Sequence, residues 1–191
     1  MGKTDFGEVS MTQLLDKNQS RLTPKRVHGR VVNVVAALLR KQLQIPNIYL
    51  NPKIPGVPAV DILAVDRGGS GDLHVVEIKP TVELHSRAQL RSLVQTLKPY
   101  PFHFKYLALP EFTISQSGLD FAEYPELFDE AGIGRIGILS FKSSIFDASS
   151  FDSADAAKEI LRPERFLVRG EKLVTIEKWL AKAKPDMEVR I

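Results

Sequence analysis

Cysteine is absent from the 191 residues, which excludes disulfides, thiolate metal sites and a cysteine nucleophile together. Any metal this chain holds must be bound through oxygen or histidine, and His28, His74, His85 and His103 are scattered without a paired ligand spacing. Long apolar runs are also missing, and Met1 to Leu15 is polar and acidic where a signal peptide would be basic and then apolar. The expectation is a cytoplasmic protein with no membrane partner. No P-loop, GxSxG or dinucleotide glycine pattern is present, because Gly68-Gly69-Ser70-Gly71 lacks the following lysine and helix start. Acid is missing from one long stretch: Lys17 to Val60 carries eight basic residues (Lys17, Arg21, Lys25, Arg26, Arg30, Arg40, Lys41, Lys53) and no carboxylate.

What is there reads as one globular α/β domain. An apolar content of 43% and a charged content of 26% sit near the average, and a chain this long can bury one good core. The spacing of Val27, Val31, Val34, Val35, Leu38, Leu39 and Leu43 predicts a helix over 25–43, opened by Thr23-Pro24 and closed by Ile45-Pro46. A strand follows over 48–54, then a turn, then two apolar strands joined by the glycine-rich segment. Leu84, Ala88, Leu90, Leu93, Val94 and Leu97 predict a helix over 82–97, and 102–109 alternates as a strand with Phe102, Phe104 and Tyr106 on one side. Beyond Pro110 the expected pieces are a helix near 124–130, a strand over 135–141 and a polar loop over 143–155. Helices over 154–161 and 175–183 and a short strand over 166–168 complete the reading. The division expected is an N-terminal extension over 1–24, a core over 25–142 and a C-terminal extension over 143–191 packed on the core.

The richest stretch is Val60-Asp61-Ile62-Leu63-Ala64-Val65, then Leu73-His74-Val75-Val76-Glu77-Ile78-Lys79. Residues two apart on a strand share a face, so Glu77 and Lys79 point one way and Ile78 points into the core. A register that brings Asp61 beside them puts two carboxylates and an ammonium on one face. Among valines and isoleucines such a cluster is costly unless the charges pair with one another or with a metal. His74 lies at odd spacing from Glu77 and should face away from it.

These residues resemble the PD-(D/E)xK nuclease superfamily, with Asp61 matching the motif aspartate, Glu77 the second acid and Lys79 the lysine. The resemblance spans about residues 25 to 110 and implies a restriction-endonuclease-like core: a mixed central sheet flanked by helices, in the order helix, three-strand meander, helix, strand. It further implies metal-dependent hydrolysis of DNA phosphodiesters with Mg2+ or Mn2+ as cofactor. Asp61, Glu77 and the backbone carbonyl of Ile78 would hold the ion. Lys79 would orient or deprotonate the attacking water, or stabilise the charge that builds on the phosphate. Several branches of the superfamily carry a glutamine followed by a tyrosine on the second helix, and Gln89 and Tyr100 look similar. Gln89 would bond a phosphate or hold Lys79 in place.

Charge fits a phosphodiester substrate, since Lys25, Arg26 and Arg30 on the first helix and Arg87 and Arg91 on the second can draw a nucleic-acid backbone toward carboxylates that repel it. The plainer reading is that these side chains only solvate helix faces. Many relatives place a glutamate on the first helix, and 25–43 contains none; Glu8 could substitute only by folding back. That absence favours an alternative, a nuclease-fold module with weak or lost catalysis that binds DNA or a protein. His28 can reach the site, although a structural or surface role is the plainer expectation. The acidic run from Glu111 to Asp155 offers a partner surface, and a homodimer is expected if two strands are to be cut. A third reading makes the trio a mere ion cluster.

Overall fold

The computed structural model describes residues 24–66, 71–80, 84, 86–97, 99–118, 135–146 and 156–186. In chain order the elements are α1 (Pro24–Lys41), β1 (Asn47–Leu50), β2 (Ile62–Val65), β3 (Leu73–Ile78), α2 (Arg87–Thr96), β4 (Phe104–Pro110), α3 (Glu111–Gln116), β5 (Gly137–Phe141), a 3-10 turn (Ser143–Phe146), β6 (Ala157–Leu161) and α4 (Glu171–Leu180). The order helix, three strands, helix, strand expected over the first half is the order observed.

All six strands form one open mixed sheet in the order β1-β2-β3-β4-β5-β6. The outer pairs β1/β2, β2/β3 and β5/β6 are antiparallel, while β3/β4 and β4/β5 are parallel. Parallel neighbours need a crossover, and α2 supplies the one between β3 and β4. Central strands covered on both faces read as unbroken apolar runs, here Val75-Val76, Leu107-Ala108-Leu109 and Ile138-Leu139. On one face α1 buries Val31, Val35 and Leu39 against Ile62, Val76, Ala108 and Leu139. On the other, Leu90 and Val94 of α2 and Ile176 and Leu180 of α4 pack on Leu63, Val75, Leu107 and Ile138.

Helix α1 ends at Lys41; beyond it Gln44 takes a left-handed φ of 57° and Ile45 N–H returns to the Leu39 carbonyl at 3.0 Å, turning the chain away from the helix axis. Helix α2 starts at Arg87, because the Ser86 hydroxyl accepts the Gln89 N–H at 3.3 Å and caps it.

Several expectations need correction. The first strand stops at Leu50, where Asn51 takes a left-handed φ of 46°, short of the expected 54. Residues 157–161 are strand β6, paired through Phe141↔Ala157, instead of a helix; short apolar runs fit either period, and the free edge of β5 decides. Residues 166–168 form no strand, although Phe166 is buried with its N–H on the His103 carbonyl at 2.7 Å. Phe102 precedes β4, its N–H turned back to the Tyr100 carbonyl at 3.0 Å; it packs on the α2 face, whereas Phe104 and Tyr106 pack on the α1 face. The last helix begins at Glu171, four residues before the expected start. The helix expected near 124–130 lies outside the described residues. Among the described residues no helix is long and apolar enough to cross a membrane.

Candidate active site

The β2–β3 ladder pairs Ile62 with Val76, and one step outward that register sets Asp61 across from Glu77. Two backbone bonds fix the spot: Asn51 N–H donates to the Asp61 carbonyl at 2.8 Å, and Lys79 N–H donates to the Ala108 carbonyl at 3.0 Å. The Asp61 side chain is held at both oxygens. Oδ2 accepts the Ile78 N–H at 2.7 Å, and Oδ1 lies 3.1 Å from His28 Nε2 on α1. Beside it, Glu77 Oε1 accepts from Lys79 Nζ at 2.7 Å.

Tyr100 closes the cluster from the segment after α2. Its hydroxyl donates to the Ala59 carbonyl at 2.9 Å and stands 3.5 Å from Glu77 Oε2. Burial first, then the Glu77 and Asp61 carboxylates, push the phenol up to about 12. It therefore stays protonated at neutral pH and acts as a donor, not as a base.

Asp61 and Glu77 keep 18% and 17% of their side-chain surface, and Lys79 keeps 32%. Water and a solvated cation can therefore reach them. Each carboxylate oxygen has more than one acceptor direction, so the present partners leave room for an ion. Among the described residues no three His, Asp or Glu side chains group as a metal cage. The donor set is thus two carboxylates with backbone and water, which suits a hard cation that keeps most of its own waters.

The other candidate residues spread outward. Lys25 and Arg26 are exposed on the first turn of α1, the turn that carries His28 to Asp61. Arg30, one turn on, is half-buried with Nη1 3.5 Å from the Ile145 carbonyl. Gln89 and Arg91 are exposed on α2; Arg87 is its first residue, its side chain outside the described residues, as is Glu8. His74 lies on the α1 face of β3, turned away from Glu77 as its spacing requires. The structure thus brings Asp61, Glu77, Lys79 and the backbone of Ile78 together and adds His28 and Tyr100. Sequence spacing could not single out His28, because its place depends on how α1 docks over a strand 33 residues later. Its place on the basic helix is the only signal the sequence offers, and that signal fits a surface histidine equally well.

No protein-family model matches the chain, and no curated protein sequence is similar to it. Among solved structures, a protein of unknown function from Silicibacter pomeroyi is 17% identical, with 85% of this chain and 84% of that chain covered at a TM-score of 0.45. A repair endonuclease from Pyrococcus abyssi is 24% identical over 40% of this chain and 36% of that chain, with a TM-score of 0.25.

Proposed function

We propose that this chain hydrolyses phosphodiester bonds in DNA with Mg2+ or Mn2+ as cofactor, at a site made of Asp61, Glu77 and Lys79. The observation that carries this reading is the placement of both carboxylates and the lysine at the end of one buried hairpin, under the basic first turn of α1. The choice of DNA follows from the resemblance to the PD-(D/E)xK superfamily.

Asp61, Glu77 and the Ile78 carbonyl would hold the ion, with His28 fixing the Asp61 carboxylate from α1. The bound ion would supply Lewis acidity at the scissile phosphate and lower the pKa of coordinated water. The chain's own groups do the rest. Lys79, 2.7 Å from Glu77, presents N–H donors to phosphate oxygens. Tyr100 holds its proton and orients Glu77. Lys25 and Arg26 draw the phosphate backbone toward a face that is otherwise acidic, and Gln89 adds a hydrogen bond from α2.

A second reading is favoured by one observation: all four carboxylate oxygens already have polar partners within 3.5 Å. On that reading the trio is a self-satisfied ion cluster on a DNA-binding or protein-binding module. Cleavage of labelled single-stranded, duplex and branched DNA with Mg2+ or Mn2+ separates the two. Metal-dependent cutting that EDTA abolishes, and that Asp61→Ala and Lys79→Ala each lower by about a hundredfold or more, supports the nuclease. Salt-sensitive binding without cutting in the wild type overturns it in favour of the module.

A further inference from the structure

The opposite end of the same hairpin carries a second cluster of chemistry. Asp61 precedes β2 and Asp66 follows it, and His74 lies four residues before Ile78 on β3, about 13 Å away at strand rise. There an open cleft of about 460 Å³ is lined by Gln42, Gln44, Asp66, His74, Phe104 and Tyr106, with Asp72, Glu159 and Arg162 also on its wall. That volume falls in the range of small-molecule sites, about 300–1,000 Å³.

His74 is the informative residue. Its side chain is 92% removed from solvent, since 8% remains exposed. Nε2 pairs with Asp66 Oδ1 at 2.8 Å, whereas Nδ1 has no hydrogen-bond partner among the described residues. A buried imidazole nitrogen without a partner is uncommon and costly. Nearby charge does not resolve it. Asp72 is bound by Arg165, whose Nε and Nη2 lie 2.9 and 2.8 Å from Oδ1, and Glu159 is bound by Arg162 at 3.1 Å. Asp66 is the wall carboxylate with no lysine or arginine within salt-bridge distance among the described residues.

The lining selects a ligand class. With Asp72 paired to Arg165 and Glu159 to Arg162, Asp66 leaves the wall with an excess of negative charge, which repels phosphates and other anions. No grouping of three His, Asp or Glu side chains holds a metal among the described residues. An apolar ligand would leave Asp66 and His74 as they are. His74 stacks on Phe104 with centroids 4.6 Å apart and planes at 22°, and on Tyr106 at 6.2 Å and 19°, so the wall beside Asp66 is a set of near-parallel rings. A planar cation rich in N–H groups satisfies both demands, because a guanidinium forks onto a carboxylate and lies on aromatic faces.

We infer that this cleft is a binding site for a guanidinium group, held by Asp66 and the free Nδ1 of His74 beside the stacked His74, Phe104 and Tyr106 rings. The group belongs either to a free guanidine compound or to an arginine side chain of a protein. The inference is independent of the phosphodiester reading, since it uses none of the trio.

Isothermal titration of the full chain at low salt tests it, with agmatine, putrescine and the blocked tripeptide acetyl-Gly-Arg-Gly-amide as probes. The expected result is saturable one-to-one binding of agmatine, at least about tenfold weaker for putrescine and for Asp66→Asn. The exposed control Glu111→Gln, whose acid pairs with Lys158 outside the cleft, should bind like wild type. Tighter binding of the tripeptide than of agmatine assigns the site to a protein arginine, and the reverse assigns it to a free compound. Absence of binding, or equal binding by putrescine or by Asp66→Asn, overturns the inference. His74→Gln is a second variant, read only after its circular dichroism matches wild type.

Discussion

Lys105 sits on β4 almost wholly buried, with Nζ 4.5 Å from the centre of the Phe166 ring. Burial pulls its pKa from 10.5 down to about 8. Between those two values the unfolded chain binds a proton that the folded chain has released, so this group makes stability rise with pH from about 8 toward 10.5 and exacts its full penalty below 8. Lys105→Met should flatten that slope and raise stability at pH 7 by on the order of 2 kcal/mol, measured by urea denaturation at pH 7, 8, 9 and 10. His74 acts on the acid side: burial lowers its pKa, so its contribution is intact above 6.5 and falls as pH drops below that value. Tyr100 works with the opposite sign in base. Its phenol, pushed to about 12, favours the folded state below 10 and loses that advantage as pH rises through 12. Tyr100→Phe should cost about 1 kcal/mol at neutral pH by leaving the Ala59 carbonyl and Glu77 with one donor fewer.

At the scale of elements, Gly137 opens β5 beneath Tyr106. A Cβ there would meet the Tyr106 ring at 2.7 and 2.9 Å and Pro163 Cδ at 2.8 Å. Gly137→Ala should therefore destabilise the fold by about 1–3 kcal/mol through forced repacking, read as a lower urea midpoint with an unchanged slope. The sheet edge at β1 has its own cover. Asp186 N–H donates to the Ile48 carbonyl at 2.7 Å, Leu50 N–H donates to Asp186 Oδ2 at 2.7 Å, and Arg40 Nη2 reaches the Asp186 carbonyl at 2.9 Å. Removing residues 184–191 should bare that edge and raise self-association in light scattering.

Elements were legible in the sequence where periodicity and punctuation agree. Pro24 and Ile45-Pro46 bracket α1, and the Asp61 to Lys79 hairpin shows the two-residue alternation of its faces. Where the deciding neighbour is distant, the sequence misleads. Ala156, Ala157, Ile160 and Leu161 fit a helix stripe, and only the open edge of β5 makes them a strand. Phe102 continues the alternation of Phe104 and Tyr106, yet the backbone turns at Tyr100 before the ladder begins. The candidate trio could be read because all three side chains come from one local hairpin. His28 could be named only as able to reach the site, and the Asp66–His74 cleft not at all, since each is completed by pieces far apart in the chain.

For the molecule as a whole, charge is divided along one hairpin. Its Asp61 end lies under the basic turn of α1, while its Asp66 end opens on a wall with more acid than base. If DNA approaches from the α1 side, Lys25→Gln with Arg26→Gln should weaken binding about evenly across sequences. The slope of log K against log salt should fall by about two, one for each phosphate that the variant no longer neutralises.

The docking of α1 also has a consequence for the order of assembly. The helix packs on β1 and β2 but equally on β5, the 3-10 turn and β6, more than a hundred residues later. Val31, Val35 and Leu39 thus have no complete seat until the chain has been synthesised past Leu161. A nascent chain stalled near residue 130 should show this amphipathic helix as bound chaperone or dye, and one released past 161 should not.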